Sequence, residues 1–268
     1  MTLPTWAVVT AAAVLGAVFG SFANVAIHRW PRQLSVVSPP SACPACGTPI
    51  RPIDNIPVAS WLILRGRCRS CAAPISARYP LVEIAVATLW ALVALVHGPV
   101  WHLPALLVLA WALVVASAID IEYRIIPNRL TYRLAPVLLV LLASAAALDQ
   151  RWGSLVRALI AGVALPLGLF ALAEGFRLVR GKRGMGMGDV RLAVSLGLVL
   201  GYLGGWEIVI GLYAAIGSAV VVVAGLMLTG RATLASRIPF GPYLAVGTLT
   251  AVVAGAPLER VVTRWLGL

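Results

Sequence analysis

Long apolar segments alternate with short polar loops along most of the chain, and this pattern predicts a bundle of membrane-spanning helices. The sixth and seventh segments are separated only by a Gly-Gly-Trp-Glu turn, so their boundary near 200–210 is the weakest of the set. The first segment lacks a basic start and a small-x-small cleavage site, so we expect a retained helix. The pattern predicts an all-α polytopic membrane protein with about eight transmembrane helices, at 5–27, 80–97, 101–119, 130–148, 154–176, 190–206, 208–228 and 239–257.

Composition supports a membrane protein over a soluble one. The chain has 268 residues, 61% of them hydrophobic and 11% charged, whereas soluble domains carry about a quarter charged residues. The net charge of +12 does not indicate nucleic acid as a partner, because 17 of the 21 Lys and Arg residues lie in or at the edges of the loops after the first, third, fifth and seventh segments. Positive loops stay cytoplasmic, so both termini should face outward. The expected surroundings are a lipid bilayer, whose anionic headgroups these loops also attract.

Two acidic residues lie at the edges of predicted spans, where burial of a charged carboxylate has a high free-energy cost. Asp120 ends the third span and Asp189 begins the sixth, and the charge pattern puts both at the cytoplasmic face. One such residue is most simply a helix cap or an arginine partner, whereas two at one face suggest a pair that shares a proton and activates water. Gly184, Gly186 and Gly188 permit close approach of backbone before Asp189. The sequence favours a membrane aspartyl protease with Asp120 and Asp189 as its catalytic pair.

All four cysteines lie in the only long hydrophilic stretch, residues 28–79. Their C-x2-C-x21-C-x2-C spacing is close to that of zinc ribbons. Disulfides are the alternative, but the seven arginines of this loop place it in the reducing cytoplasm, where disulfides are rare. Four thiolates close the coordination shell of zinc, so we expect a structural site. Its predicted ligands are Cys43, Cys46, Cys68 and Cys71.

Several motifs along the chain resemble those of one known family. G-S-F-A-N-V-A-I-H-R-W-P (20–31), D-N-I-P-V-A-S-W-L-I-L-R-G-R-C-R-S-C (54–71) and I-S-A-R-Y-P-L-V-E (75–83) are similar to the opening and the cysteine loop of that family. A-I-D-I-E-Y-R-I-I-P-N-R-L-T (118–131) and G-M-G-D (186–189) resemble its two catalytic motifs. From about residue 16 to 191, the order and spacing of these motifs resemble those of the type IV prepilin peptidases. One departure is Ile-Pro-Asn at 126–128, where the family often has Leu-Pro-Asp.

The resemblance implies a bifunctional enzyme of the bacterial cytoplasmic (inner) membrane. Such enzymes cut the basic leader from prepilins or pseudopilins at the cytoplasmic face and methylate the new N-terminus, with S-adenosylmethionine as donor. It matches Asp120 and Asp189 to the catalytic pair. Gly66 is the candidate methyl-transfer position, because a side chain there would block backbone approach. The expected parts are a first transmembrane helix (1–27), a zinc-stapled, methylation-associated loop (28–79) and a membrane-embedded peptidase (80–268).

Three other interpretations remain open at this stage. The enzyme could be a peptidase without methyl transfer, in which the cysteine loop only supports the fold. Acidic residues in membrane helices also occur in proton- or cation-coupled transporters, although those place the acids near the bilayer midplane. A zinc-stapled scaffold for pilus assembly would need neither aspartate.

Overall fold

The computed structural model describes residues 3–181, 185–231 and 239–266, without the side chains of residues 180, 256–257 and 259–266. The described residues form one short and eight long α-helices, one 3-10 turn and two isolated β-bridges, which confirms the all-α prediction. In chain order the helices are α1 (Thr5–Arg29), α2 (Ala59–Ile63), α3 (Arg78–His97), α4 (Leu103–Tyr123), α5 (Asn128–Asp149), α6 (Trp152–Arg180), α7 (Met187–Leu203), α8 (Gly205–Leu228) and α9 (Gly241–Leu266).

Six of these helices are long and apolar enough to cross a membrane, namely α1, α3, α4, α5, α6 and α8. The helix α7 has 17 residues, and the apolar part of α9 covers Gly241–Gly255. A span of the hydrocarbon core takes about 20 residues. The protein is therefore a multi-pass membrane protein by length and composition, and the count of eight spans stays a prediction.

The chain forms two compact units, Met1–Pro99 and Val100–Leu268. In the first, α1 packs against α3 through two glycines one turn apart. A Cβ on Gly16 would lie 2.9 Å from the Ala87 Cα, and one on Gly20 would lie 2.6 Å from the Glu83 Cα. Small residues at this spacing let membrane helices approach closely. The division of the chain into three parts stays a prediction. The packing of α3 against α1 places both helices in the first unit.

Polar contacts tie the loop of the first unit to its helices. The Glu83 carboxylate of α3 accepts a 2.8 Å hydrogen bond from the Val58 N–H, and the Asn24 side chain of α1 donates to the Tyr79 carbonyl at 3.0 Å. Val58 has a positive φ of 60°, which is strained for a β-branched residue. The carboxylate thus holds the loop in a conformation that Val58 alone would not favour.

Among the described residues of the second unit, α4 and α7 each have more buried residues than any other helix. The helix α7 packs against α5 and α6, while α9 packs against α4 and α8. Two crossings are especially close. A Cβ on Gly197 of α7 would lie 2.3 Å from the Ala161 carbonyl oxygen of α6, and one on Gly247 of α9 would lie 2.2 Å from the Gly211 carbonyl oxygen of α8. These contacts fix the spacing of the helices that bring the two aspartates together.

Candidate active site and metal centre

Asp120 lies in the last turn of α4 and is buried. Its Oδ2 accepts a 2.9 Å hydrogen bond from the N–H of Gly241, at the start of α9. The helix ends at the next turn because Arg124 adopts a left-handed conformation and donates its N–H to the Asp120 carbonyl at 2.9 Å. Pro127, just before α5, then prevents continuation of the helix.

Asp189 lies in the first turn of α7 and is also buried. Its Oδ2 accepts a hydrogen bond of 3.2 Å from the Gly186 N–H, as an acid at the third helical position does when it caps a helix. Its Oδ1 is buried with no hydrogen-bond partner among the described residues.

The two nearby predicted glycines both have close neighbours. A Cβ on Gly188 would lie 2.9 Å from the Ile126 Cβ, and one on Gly186 would lie 3.1 Å from Asp189 Oδ2. Gly188 therefore lets the start of α7 approach the chain just after α4. Gly184, the third glycine of the prediction, lies outside the described residues.

Asp120 and Asp189 lie at the same end of the second unit, because the start of α7 meets the chain just after α4, at Ile126. They are near enough for the charge of Asp120 to act on Asp189 as a like charge. Two like charges in such a position oppose simultaneous ionisation, which is the condition for one carboxyl group to stay protonated beside an ionised partner. The arrangement suits water activation by one carboxylate and polarisation of a carbonyl by the other, which is the chemistry of aspartic proteases. Their catalytic role stays a prediction.

The four cysteines of the first unit converge on one point. Their Sγ atoms all lie within 4.8 Å of one another, and those of Cys43 and Cys71 are 3.8 Å apart. Sulfurs bound tetrahedrally to zinc at about 2.3 Å would be separated by about 3.8 Å. The cluster therefore fits a tetrahedral metal ion.

Two similar turns hold these cysteines. The Cys43 N–H donates to the Thr48 carbonyl at 2.9 Å, and the Cys68 N–H donates to the Ala73 carbonyl at 2.8 Å. Each turn contains one residue with positive φ four positions after its first cysteine, at Gly47 and Ala72. An isolated β-bridge closes each of the two turns.

Local hydrogen bonds favour the thiolate form that a metal ion requires at two of the four cysteines. The pKa of the Cys71 thiol is instead raised to about 12, because its hydrogen bonds with the other cysteines outweigh the lowering by the Ala73 backbone. The Thr48 hydroxyl, 3.3 Å from Cys46 Sγ, and its backbone lower the pKa of the Cys46 thiol to about 6. The N–H groups of Cys71 and Ser70 lower the pKa of the Cys68 thiol. The donor set is thus suited to a soft divalent metal.

Gly66 has a structural role in the loop. It has a φ of 65°, and a Cβ there would lie 2.9 Å from the Trp61 ring atom Cζ2. The Trp61 indole N–H in turn donates to the Ile75 carbonyl at 3.1 Å. A side chain at residue 66 would therefore disturb this packing whether or not a methyl donor binds nearby. Methyl transfer at Gly66 stays a prediction.

Two contacts of the aspartate site were not predicted from the sequence. The first is the Gly241 hydrogen bond, whose only sequence signal is the Phe-Gly-Pro tripeptide that opens the last apolar segment. The second joins α7 to α5, where the Arg191 guanidinium donates to the Asn128 side chain at 2.5 Å and lies 5.5 Å from the centre of the Tyr132 ring. Asn128, the partner of Arg191, stands where the family's Leu-Pro-Asp motif has aspartate.

Two protein-family models match the chain. The model described as the bacterial peptidase A24 N-terminal domain matches residues 14–97, which include the cysteine loop. The model described as the type IV leader peptidase family matches residues 107–231, which include both aspartates. The two matches together follow the same order as the motifs in the sequence.

Curated relatives are similar over most of their length. The prepilin leader peptidase/N-methyltransferase of Aeromonas hydrophila is 38% identical over 252 residues, which cover 83% of this chain and 82% of the relative. The protein of that name from Pseudomonas aeruginosa is 36% identical and covers 95% and 93%, and that from Burkholderia pseudomallei is 37% identical and covers 95% and 88%. No solved structure matches the chain. These similarities favour the protease interpretation over the transporter and the scaffold.

Proposed function

We infer that this chain, which belongs to the type IV leader peptidase family, cleaves the leader peptides of prepilins or pseudopilins and methylates the N-terminus that cleavage exposes. The observation that carries the peptidase assignment is the pair of buried carboxylates, Asp120 and Asp189, at one end of the second unit. The names of the relatives and the match to both family models support the two activities.

Asp120 and Asp189 act together on one water molecule. The ionised carboxylate takes a proton from water, whose oxygen attacks the scissile carbonyl carbon, while the protonated carboxyl donates a hydrogen bond to the carbonyl oxygen. The tetrahedral intermediate then collapses as a proton passes to the leaving nitrogen and the C–N bond breaks. The products are the leader with a free carboxylate and the pilin with a free amine, and the pair again holds one proton.

The position of the pair suits a substrate with a polar leader and an apolar helix. Both aspartates lie at helix ends, Asp120 in the last turn of α4 and Asp189 in the first turn of α7. We propose that a pair at the ends of membrane helices meets the junction between leader and helix when the substrate helix lies in the bilayer. We also propose that this end faces the cytoplasm at the bacterial inner membrane, which the basic loops of the sequence support.

Methyl transfer adds a second substrate, for which we propose S-adenosylmethionine. Its sulfonium supplies the methyl group to the free N-terminal amine, so the amine must first be exposed by cleavage. The cysteine loop of the first unit is the segment that we associate with this activity, because the N-terminal family model covers it. The buried carboxylate pair has no part in the transfer.

Zinc is the metal that we propose for the four-cysteine cluster, because four thiolates in a tetrahedral arrangement are typical of structural zinc sites. Elemental analysis of the purified protein should give one zinc per chain. The variants Cys43→Ser and Cys68→Ser should lose it, whereas Ser70→Ala, inside the second turn, should keep it. Protein without zinc, or thiol titration that finds the cysteines oxidised, would refute the assignment.

The peptidase assignment is tested by mass spectrometry of a full-length prepilin incubated with the purified enzyme in lipid, with and without S-adenosylmethionine. Wild type should release the leader, and the pilin should gain one methyl group only when the donor is present. The isosteric variants Asp120→Asn and Asp189→Asn should abolish cleavage. Asp149→Ala, which removes an exposed carboxylate at the end of α5, is the matched control and should cleave normally.

A pre-cleaved pilin separates the two activities. Both Asn variants should still methylate it if the carboxylate pair serves only hydrolysis. Cleavage by either Asn variant at the wild-type rate would contradict the proposed pair. Cleavage by wild type without methylation would leave a peptidase alone and assign the cysteine loop to structure.

A further inference from the structure

The hydrogen bond from Gly241 brings a third chain segment into the aspartate site. We propose that Gly241 is a positioning residue of the peptidase, whose backbone N–H at the start of α9 holds the Asp120 carboxylate in its working orientation. The inference rests on the proposed role of Asp120. It assigns a catalytic consequence to a residue that lies 121 positions away along the chain.

Asp120 needs a donor from outside its own helix. It lies in the last turn of α4, where the free backbone groups are carbonyls and the helix dipole opposes a negative charge. Asp189 has the opposite situation, because it lies in the first turn of α7 and receives the N–H of Gly186 from its own helix start. The N–H at the start of α9 therefore supplies the hydrogen-bond donor that the end of α4 lacks.

The start of α9 leaves the Gly241 N–H available for this contact. The Phe240 carbonyl accepts the N–H groups of Tyr243 and Leu244, each at 3.1 Å. Pro242 has no N–H to donate. In this first turn the Gly241 N–H is thus the donor that reaches Asp120, and the positive end of the α9 dipole lies behind it.

The contact also explains why residue 241 is a glycine. A Cβ there would lie 2.8 Å from Asp120 Oδ2 and 3.4 Å from Asp120 Cβ. Gly241 is not among the residues with positive φ, so the requirement is for space and not for an unusual backbone conformation. Any side chain would push the carboxylate away from the N–H that binds it.

The test compares Gly241→Ala with Gly217→Ala, a glycine of α8 with no atom within 4 Å of a built Cβ. With a prepilin substrate, Gly241→Ala should lower kcat about 10- to 100-fold, the loss expected for one hydrogen bond to a charged group. Its KM should stay within about twofold, because Gly241 contacts Asp120 and not the apolar helix of the substrate. Gly217→Ala should match wild type in both constants.

A coupling measurement separates positioning from general damage to the fold. Asp120→Ala removes the carboxylate that a methyl at residue 241 would displace, and leaves only an ordinary 3.4 Å contact with Asp120 Cβ. Gly241→Ala should therefore lower the Tm by about 2–4 °C in wild type and by less in the Asp120→Ala background.

The outcomes distinguish failure of the proposed peptidase function from failure of the positioning role of Gly241. If wild type does not cleave prepilin, the proposed function fails before Gly241 is at issue. If wild type cleaves and Gly241→Ala has a wild-type kcat, the positioning role is overturned. If Gly241→Ala does not fold, Asp120→Ala must restore folding in the double variant, and failure to do so would also overturn it.

Discussion

The close crossing of α6 and α7 predicts that one methyl group far from the aspartates will reduce cleavage. A Cβ on Gly197 of α7 would lie 2.3 Å from the Ala161 carbonyl oxygen and 2.7 Å from the Ala161 carbonyl carbon. Carbon–oxygen contacts of this kind begin at about 3.3 Å. Both atoms belong to backbone and neither can rotate away, so Gly197→Ala must separate the two helices by roughly 1 Å at this point.

The size of the effect follows from the rigidity of α7. Gly197 lies eight residues after Asp189 on the same helix, a distance of about 12 Å along the axis. A shift of roughly 1 Å at Gly197 therefore reaches Asp189 largely undiminished, whereas Asp120 is held by α4 and α9. Misplacement of a catalytic group by about 1 Å costs about 100-fold in rate, and overpacking of this kind costs about 1–3 kcal/mol of stability.

The assay is leader release from a prepilin, followed by mass spectrometry, together with thermal unfolding of the purified variants. Gly168→Ala of α6 is the matched control, because no atom lies within 4 Å of a Cβ built there. It should keep its activity and Tm, or gain slightly from the better helix propensity of alanine. Wild-type activity and Tm for Gly197→Ala would refute the reasoning, since α6 and α7 would then have moved apart without loss of stability or rate.

Other predictions concern the loop and the α5–α7 contact. Ala72→Gly should raise the free energy of unfolding of the first unit by about 1 kcal/mol, because Ala72 has positive φ where the matching turn has Gly47; an unchanged Tm would contradict this. Glu83→Ala should expose the 28–79 loop to limited proteolysis at a cost of about 1–3 kcal/mol, and Glu83→Gln, which keeps an acceptor, should cost less. Asn128→Asp should stabilise the contact with Arg191 by about 0.2–1 kcal/mol in thermal unfolding, and a gain that persists in about 1 M salt would argue against an ion pair.

The hydropathy pattern predicts the helices well because a bilayer leaves few alternatives. Backbone groups in hydrocarbon must be hydrogen-bonded within the segment, so a long apolar stretch becomes a helix. It predicts less well what each helix contacts. The pattern predicts one more span at 190–206, and the helix there, α7, has 17 residues and is largely buried in the second unit. Apolar side chains face lipid and protein alike, so hydropathy alone does not distinguish the two.

Spacing and motif predict the candidate chemistry-bearing residues. The four cysteines converge as their spacing predicted, and the expected polar edge residues Asp120 and Asp189 lie at one end of the second unit. Gly66 shows the limit of such reasoning. A glycine in a family motif suggests function, yet its positive φ and its contact with Trp61 already account for it. Spacing does not separate a binding role from a packing role.

Gly241 could not be found in this way because its contribution is a backbone N–H, which every residue but proline possesses. What distinguishes it is position, since α9 begins beside the carboxylate that ends α4. Water is scarce in a membrane, so peptide groups at helix starts replace it as the partners of buried charge. Each aspartate of the pair receives one such N–H, from Gly186 or from Gly241. The orientation of both carboxylates thus depends on backbone geometry, and substitutions that leave both aspartates in place should still slow cleavage.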